Sequence, residues 1–264
     1  SVSEEKMAES AIPAILKELD PHSVYIPAKQ LKEVNEPLKG NFDGIGIQFS
    51  MQKDTVVVIS TISGGPSEMV GIQPGDRIVE VDGEVVAGQD LSSNKIVDML
   101  KGKRGTEVKV GVKRQNAGEM LHFNITRDEI PLYSVDVSYM VNDRTGYIKV
   151  SRFAKTTYKE FMKAVKKLQD NGAEKLVLDL RDNSGGYLKA ATNIADEFLP
   201  KDKLIVYTQG RNSPKQQIYA SSKGEGQDLD VAVLINEWSA SASEILAGAI
   251  QDNDRGIIVG RRSF

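Results

Sequence analysis

No cysteine occurs among the 264 residues, which excludes a disulfide framework and any thiolate nucleophile. That absence suits an oxidising compartment and the cytosol equally. Histidine is scarce: His22 and His122 are the only two, and neither has a partner at His-x-x-x-His spacing, so a histidine-based zinc centre is excluded. No metal and no cofactor is expected. Long apolar runs are missing too, none approaching the ~18 residues needed to cross a bilayer. The polar start Ser1–Val2–Ser3–Glu4–Glu5–Lys6 does not have the form of a signal peptide. A leader or anchor removed ahead of Ser1 remains open, and with it membrane association through that segment. Positive charge shows no excess: 34 Lys and Arg face 37 Asp and Glu, which argues against nucleic acid as a partner. None of these quantities sets an oligomeric state.

What is present is a globular balance, 40% hydrophobic and 27% charged, over a length that fits two domains and a short appendage. Residues 1–41 read as a helical segment. Met7, Ala11, Ile12, Ile15, Leu16 and Leu19 recur at spacings of three and four, Asp20–Pro21 ends that helix, and a second helix is predicted over 28–38. This piece is too short to fold unaided and is expected to pack on a neighbour. From 42 to 128 short strands are predicted over 56–62, 77–81, 107–114 and 121–127, with one helix over 93–100. Val108, Val110 and Val112 share one face and Leu121, Phe123 and Ile125 another, the pattern of a small, partly open barrel.

Residues 129–264 change to strand-then-helix logic. Strands are predicted over 145–150, 175–180, 204–208, 231–235 and 256–259, helices over 156–169, 187–198 and 242–251, and half of a polar hairpin over 216–220. Apolar strands with helices between them predict an α/β fold, a mostly parallel sheet covered on its faces and joined by right-handed crossovers. Functional residues on such a sheet belong just beyond the carboxyl ends of its strands.

In the middle segment, Phe42–Asp43–Gly44–Ile45–Gly46–Ile47–Gln48–Phe49 is followed by Gly71–Ile72–Gln73–Pro74–Gly75–Asp76 and by Val81–Asp82–Gly83. Small residues at Gly44 and Gly46, around Ile45 and before Ile47, let backbone N–H groups converge on a carboxylate. At an open strand edge such a loop captures a peptide C-terminus while the peptide adds as a strand. The helix carrying Ile96, Val97 and Leu100 is expected to line the pocket for an apolar terminal side chain. The segment resembles a PDZ domain, in the version inserted into carboxyl-terminal processing peptidases.

The stretch Asn236–Glu237–Trp238–Ser239–Ala240–Ser241–Ala242–Ser243–Glu244–Ile245 directly follows a predicted apolar strand. A serine at a strand-to-helix junction is presented at the end of the sheet, where free N–H groups of the first helical turn favour developing negative charge. Helix capping explains the same serines, and Ser241 with Glu244 has capping-box spacing. Asp179–Leu180–Arg181–Asp182–Asn183–Ser184–Gly185–Gly186 also joins a strand to a helix, and its two glycines suit a backbone aimed at a substrate carbonyl. The expected oxyanion donors are the N–H of Gly185 or Gly186 and that of Ala242.

These two stretches, with Ala247–Gly248–Ala249–Ile250–Gln251–Asp252 and the lead Leu19–Asp20–Pro21–His22–Ser23, resemble the tail-specific, or carboxyl-terminal processing, serine peptidases. The resemblance covers essentially the whole chain. It implies a core fold like that of the crotonase and Clp peptidase group, Ser241 as nucleophile, and the glycine pair as part of the oxyanion hole. It further implies protein or peptide substrates with free apolar C-termini and residence in the bacterial periplasm or cell envelope. Proline is common in the family where Ser184 stands here. The family's base is a lysine in a Phe-Gly-Lys-Gly segment, which is expected two residues beyond Phe264; without it the 264 residues alone are expected to be nearly inactive. Two other readings stay open: a noncatalytic PDZ peptide-binding or scaffold protein, and an acyl-CoA enzyme on the same fold.

Overall fold

The computed structural model describes residues 3–19 and 23–264. The expected helix stop at Asp20–Pro21 and the side chain of His22 lie outside them. The chain divides into two compact units, residues up to 40 with 133–264, and residues 41–132.

Helix α1 (Glu4–Lys17) opens the first unit, capped by Ser3, whose Oγ accepts the N–H of Lys6 at 3.3 Å. Helix α2 (Ala28–Lys39) ends at Gly40 in the left-handed region, φ 84°. A side chain there would be strained and would also collide with Thr156 Oγ1, 2.6 Å from the position of a Cβ. Lys155 N–H donates to Leu38 O at 3.0 Å and holds the end of α2 to the rest of this unit.

The second unit begins with β1 (Asn41–Gly44), followed by β2 (Ile47–Met51), β3 (Val56–Thr61), the short helix α3 (Pro66–Met69), β4 (Arg77–Val81), β5 (Glu84–Val85), α4 (Ser93–Leu100), β6 (Glu107–Lys113), β7 (Leu121–Thr126) and β8 (Asp128–Pro131). Strands β1 and β8 pair antiparallel, Asn41 opposite Pro131, so the two ends of the unit meet. The main sheet runs β2-β3-β4-β6-β7 with β5 beside β4, which leaves β2 at an edge. Val108, Val110 and Val112 are buried as their alternation predicts, packed with Ile78, Val81 and Ile96.

The chain returns to the first unit as β9 (Val135–Asn142), β10 (Thr145–Val150), α5 (Thr157–Asp170), β11 (Lys175–Asp179), α6 (Leu188–Phe198), β12 (Leu204–Gly210), β13 (Ser213–Tyr219), β14 (Asp230–Ile235), α7 (Ala242–Asp252) and β15 (Gly256–Gly260). The sheet order is β15-β14-β11-β10-β9, parallel except for β9, and β12 with β13 forms a separate hairpin. One expectation changes: the helices cover one face of the sheet, not both. Each crossover from β10 to β15 steps in the same direction across the sheet, and right-handed connections that never reverse place every helix on one side. Ile148, Val150, Leu176, Leu178, Val231 and Val233 point to that side and are buried. On the other, Tyr139, Ile257 and Val259 are exposed. Among the described residues no helix is long and apolar enough to cross a membrane.

Candidate active site

Ser241 lies between β14 and α7, and the turn 180–187 lies between β11 and α6. Strands β11 and β14 are parallel neighbours, Asp179 level with Leu234, so both turns leave the same end of the sheet side by side. Two serines of the triplet are used inward: Ser239 Oγ donates to Leu180 O and Ser243 Oγ to Asn183 O, each at 2.8 Å, and both residues are fully buried. Ser241, between them, is exposed. Its backbone stands at φ 53° and ψ −113°, a conformation that costs a non-glycine residue about 1–3 kcal/mol and persists only where its surroundings enforce it. Glu244 supplies part of that enforcement by accepting the Ser241 N–H at 2.9 Å. Glu244 thus serves as the capping acid that its spacing suggests, and the Ser241 N–H is spent.

The glycine pair does two different things. Gly185 stands at φ 105°, and a Cβ there would lie 2.8 Å from Ala240 O, 2.9 Å from Ser241 Cβ and 3.0 Å from Ala242 N. Its bare Cα is what allows the two turns to touch. Its N–H, however, donates to Asn183 Oδ1 at 2.9 Å. Gly186 packs on the backbone of Phe153, where a Cβ would come within 2.2 Å of the Phe153 carbonyl oxygen. Among the described residues no hydrogen bond engages the N–H of Gly186 or that of Ala242. Of the two glycines it is therefore Gly186 whose N–H is unengaged, as is that of Ala242 at the start of α7.

Reasoning from motifs missed Asn183. This buried residue donates through Nδ2 to Val150 O at 2.8 Å and accepts the Gly185 N–H through Oδ1. Its carbonyl accepts Ala240 N–H at 3.1 Å as well as the Ser243 hydroxyl. One side chain and one carbonyl thus fix both turns to each other and to β10. The signal was an asparagine two residues before a glycine, the spacing of an Asx turn. A second clasp joins Asp182 and Asn236: the Asp182 N–H donates to Asn236 Oδ1 at 2.9 Å, and Asn236 Nδ2 returns a bond to Asp182 Oδ1 at 2.8 Å.

Behind the glycine turn, the fully buried Asp179 accepts from Tyr147 Oη at 2.6 Å and from Arg181 Nη2 at 2.6 Å. Burial alone pushes its pKa up, but the hydrogen bonds from Arg181 and Tyr147, with the charge of Lys149, together hold it below its ordinary value. Tyr147 is pushed up to about 12, by burial first and then by Asp179. After β15 the chain runs back along the serine turn: Phe264 N–H donates to Ser239 O at 3.0 Å, and Ser263 Oγ to Glu244 Oε1 at 2.8 Å. Among the described residues no group of three or more acidic or histidine side chains could hold a metal ion.

In the second unit a groove of about 190 Å3 runs between β2 and α4, lined by Gly44, Ile45, Gly46, Ile47, Val97 and Leu100 and closed by Phe42, Phe49 and Lys101. Ile96 departs from expectation: it is fully buried in the core, because positions 97, 100 and 101 share the helix face toward the groove and position 96 does not. Gly46 has φ 73°, and among the described residues no hydrogen bond engages the N–H of Ile45 or Gly46. A turn with two unengaged N–H groups thus stands beside an open strand edge.

Residues 144–264 match the family model of Peptidase family S41, and residues 44–126 that of the PDZ domain. The carboxy-terminal processing protease CtpB of Bacillus subtilis is 36% identical over 100% of this chain and 55% of its own length. A carboxy-terminal-processing protease of Bartonella bacilliformis is 37% identical over 99% of this chain and 60% of its own length. The solved structure of a photosystem II D1 C-terminal processing protease superposes with a TM-score of 0.54 at 27% identity, covering 99% of this chain and 71% of that one. The chain spans a little over half the length of these curated relatives. It carries a Peptidase family S41 domain preceded by a PDZ domain, and along essentially its whole length it is similar to carboxy-terminal processing proteases.

Proposed function

We propose that the protein is a serine endopeptidase that takes hold of a substrate's free, apolar C-terminus in the groove between β2 and α4 and cuts a peptide bond nearby. The observation that carries this reading is the contact of the Gly185 Cα with Ser241, which sets an exposed serine beside two unengaged N–H groups at Gly186 and Ala242. In the proposed reaction the Ser241 oxygen adds to the carbonyl carbon as its proton passes to a base. The two N–H groups stabilise the oxyanion, the C–N bond breaks as the base returns the proton to the departing amine, and water then releases the acyl group.

The base in this reading is the lysine that the family resemblance implies two residues beyond Phe264. A lysine serves as base near neutrality only when burial or nearby positive charge lowers its pKa from ~10.4. Its placement draws support from Phe264 N–H, bonded to Ser239 O at 3.0 Å, since a side chain shortly after that residue starts beside the serine turn.

The test is phosphonylation of the full-length protein by a fluorophosphonate, in which the serine oxygen displaces fluoride from phosphorus, read by mass spectrometry, alongside hydrolysis of a peptide with an apolar free C-terminus. Label on Ser241 and loss of both signals in Ser241→Ala are expected. Peptide binding without label or hydrolysis would leave a noncatalytic binding protein, and turnover of a thioester in place of a peptide would favour an acyl-CoA enzyme.

A further inference from the structure

Next to the glycine turn lies a second cavity, of about 410 Å3, to which neither the nucleophile nor the oxyanion donors contribute. Lys155 stands just before α5, Lys159 in its first turn and Lys189 in the first turn of α6; with Ala154, Tyr158 and Tyr187 they line the cavity. All three lysines are exposed, and among the described residues none is in an ion pair. No acidic residue lines the space. The two nearby acids are committed elsewhere. Glu160 accepts the N–H of Ser134 at 2.7 Å and of Val135 at 3.1 Å, and Glu197 accepts the Tyr158 hydroxyl and the Glu225 N–H.

Three cations around one hollow repel each other, and cations in the first turn of a helix are opposed by its dipole. A bound anion relieves both. The cavity also adjoins the proposed chemistry. Phe153 bridges to Gly186, and Tyr187 N–H donates to Phe153 O at 2.7 Å. Ala154 and Tyr187 therefore carry the cavity wall to within one residue of the Gly186 N–H. A peptide advances roughly 3.5 Å per residue, so one with its carbonyl at that N–H has its next one or two side chains within reach of this wall.

We propose that this cavity is a subsite for a substrate carboxylate, that of an acidic side chain within one or two residues of the scissile bond. The proposal rests on the peptidase reading for its role in the reaction. A free chain end offers the same carboxylate chemistry, and the experiment separates the two sources.

Ser241→Ala in the full-length protein makes binding measurable without turnover. Labelled, C-terminally amidated peptides carrying Glu at successive positions are compared with their Gln counterparts by fluorescence anisotropy, together with one peptide lacking acidic side chains in free-acid and amide forms. At one position Glu is expected to bind about tenfold tighter than Gln at low ionic strength, as a charge-assisted bond would give. The difference should shrink with added salt, vanish in Lys159→Gln/Lys189→Gln, and survive in Lys159→Arg/Lys189→Arg, which keeps the charge. A lysine-dependent gain confined to the free-acid peptide would assign the cavity to the terminal carboxylate and overturn the side-chain assignment. Equal affinities throughout, or a preference that survives the double Gln substitution, would overturn the proposal. Wild-type hydrolysis keeps the two readings apart. Cleavage without any charge preference removes only this subsite, whereas lysine-dependent binding without cleavage removes only the peptidase.

Discussion

Gly185 and Asn183 would bear on the proposed catalysis through geometry, since neither offers a reacting atom. In Gly185→Ala the new methyl would meet Ala240 O at 2.8 Å and Ser241 Cβ at 2.9 Å, on a backbone at φ 105° that alanine avoids. Backbone strain alone costs about 1–3 kcal/mol, and relief by opening the gap moves Ser241 away from the donors. A misplacement near 1 Å can cost roughly 10²-fold; a fall in kcat/KM of that size is expected, with a lowered melting temperature, measured by peptide hydrolysis and calorimetry on the full-length protein. Asn183→Asp is the finer probe, because it keeps an acceptor for the Gly185 N–H while setting a carboxylate oxygen against Val150 O, now 2.8 Å from Nδ2. Loss of that buried bond costs about 1–3 kcal/mol. If Asn183 positions the donors for the transition state, kcat should fall by about tenfold or more with KM nearly unchanged; a change in stability with unaltered kcat would make it structural only.

The ends of the elements show how these residues come together. Interior strands were legible in the sequence: the predicted spans 145–150, 175–180 and 231–235 fall within a residue of β10, β11 and β14, and β11 and β14 read as short apolar runs. Strand β9 was passed over although Val135, Val137, Tyr139 and Val141 alternate, since its polar members break the run and the apolar side, at Val137, Tyr139 and Val141, is exposed. The uncovered face could not be read at all, because it follows from strand order, which no local pattern records. For the same reason Ser241 and the glycines were visible as motifs, whereas the work of Asn183 depends on partners some 33 and 57 positions away, at Val150 and Ala240. Where β11 ends, Asp179 anchors the glycine turn to β10 through Tyr147, and its pKa is held below the ordinary value. A carboxylate whose pKa falls on folding contributes stability that is fully present above its unfolded pKa, near 3.9, and is lost as pH falls through the folded value. Asp179→Asn should therefore lower stability at neutral pH and flatten the decline in acid relative to wild type, as followed by melting temperature against pH. Parallel curves would show that Asp179 titrates alike in both states.

At the scale of the whole molecule the two proposed tasks fall to two compact units, a groove for a chain end in one and a serine turn for chemistry in the other. If the groove acts by tethering, its contribution is an effective concentration, felt only by substrates long enough to occupy both places at once. Val97 lines the groove, and Val97→Glu puts a negative charge where an apolar side chain and a terminal carboxylate are proposed to sit. The expected outcome is a rise in KM of about tenfold or more for long substrates with a free apolar C-terminus, with kcat unchanged. Short peptides and amidated long ones should be cut as before, because they gain nothing from the groove in the wild type. Steady-state kinetics on a matched set of long, short and amidated peptides reads this directly. Should the short peptides also gain turnover in wild type when a separate groove-binding peptide is added, and lose that gain in Val97→Glu, occupancy would be coupled to the chemistry. The ratio of the two rates would then give the change in activation free energy on occupancy, and the groove would act as an activator as well as a tether.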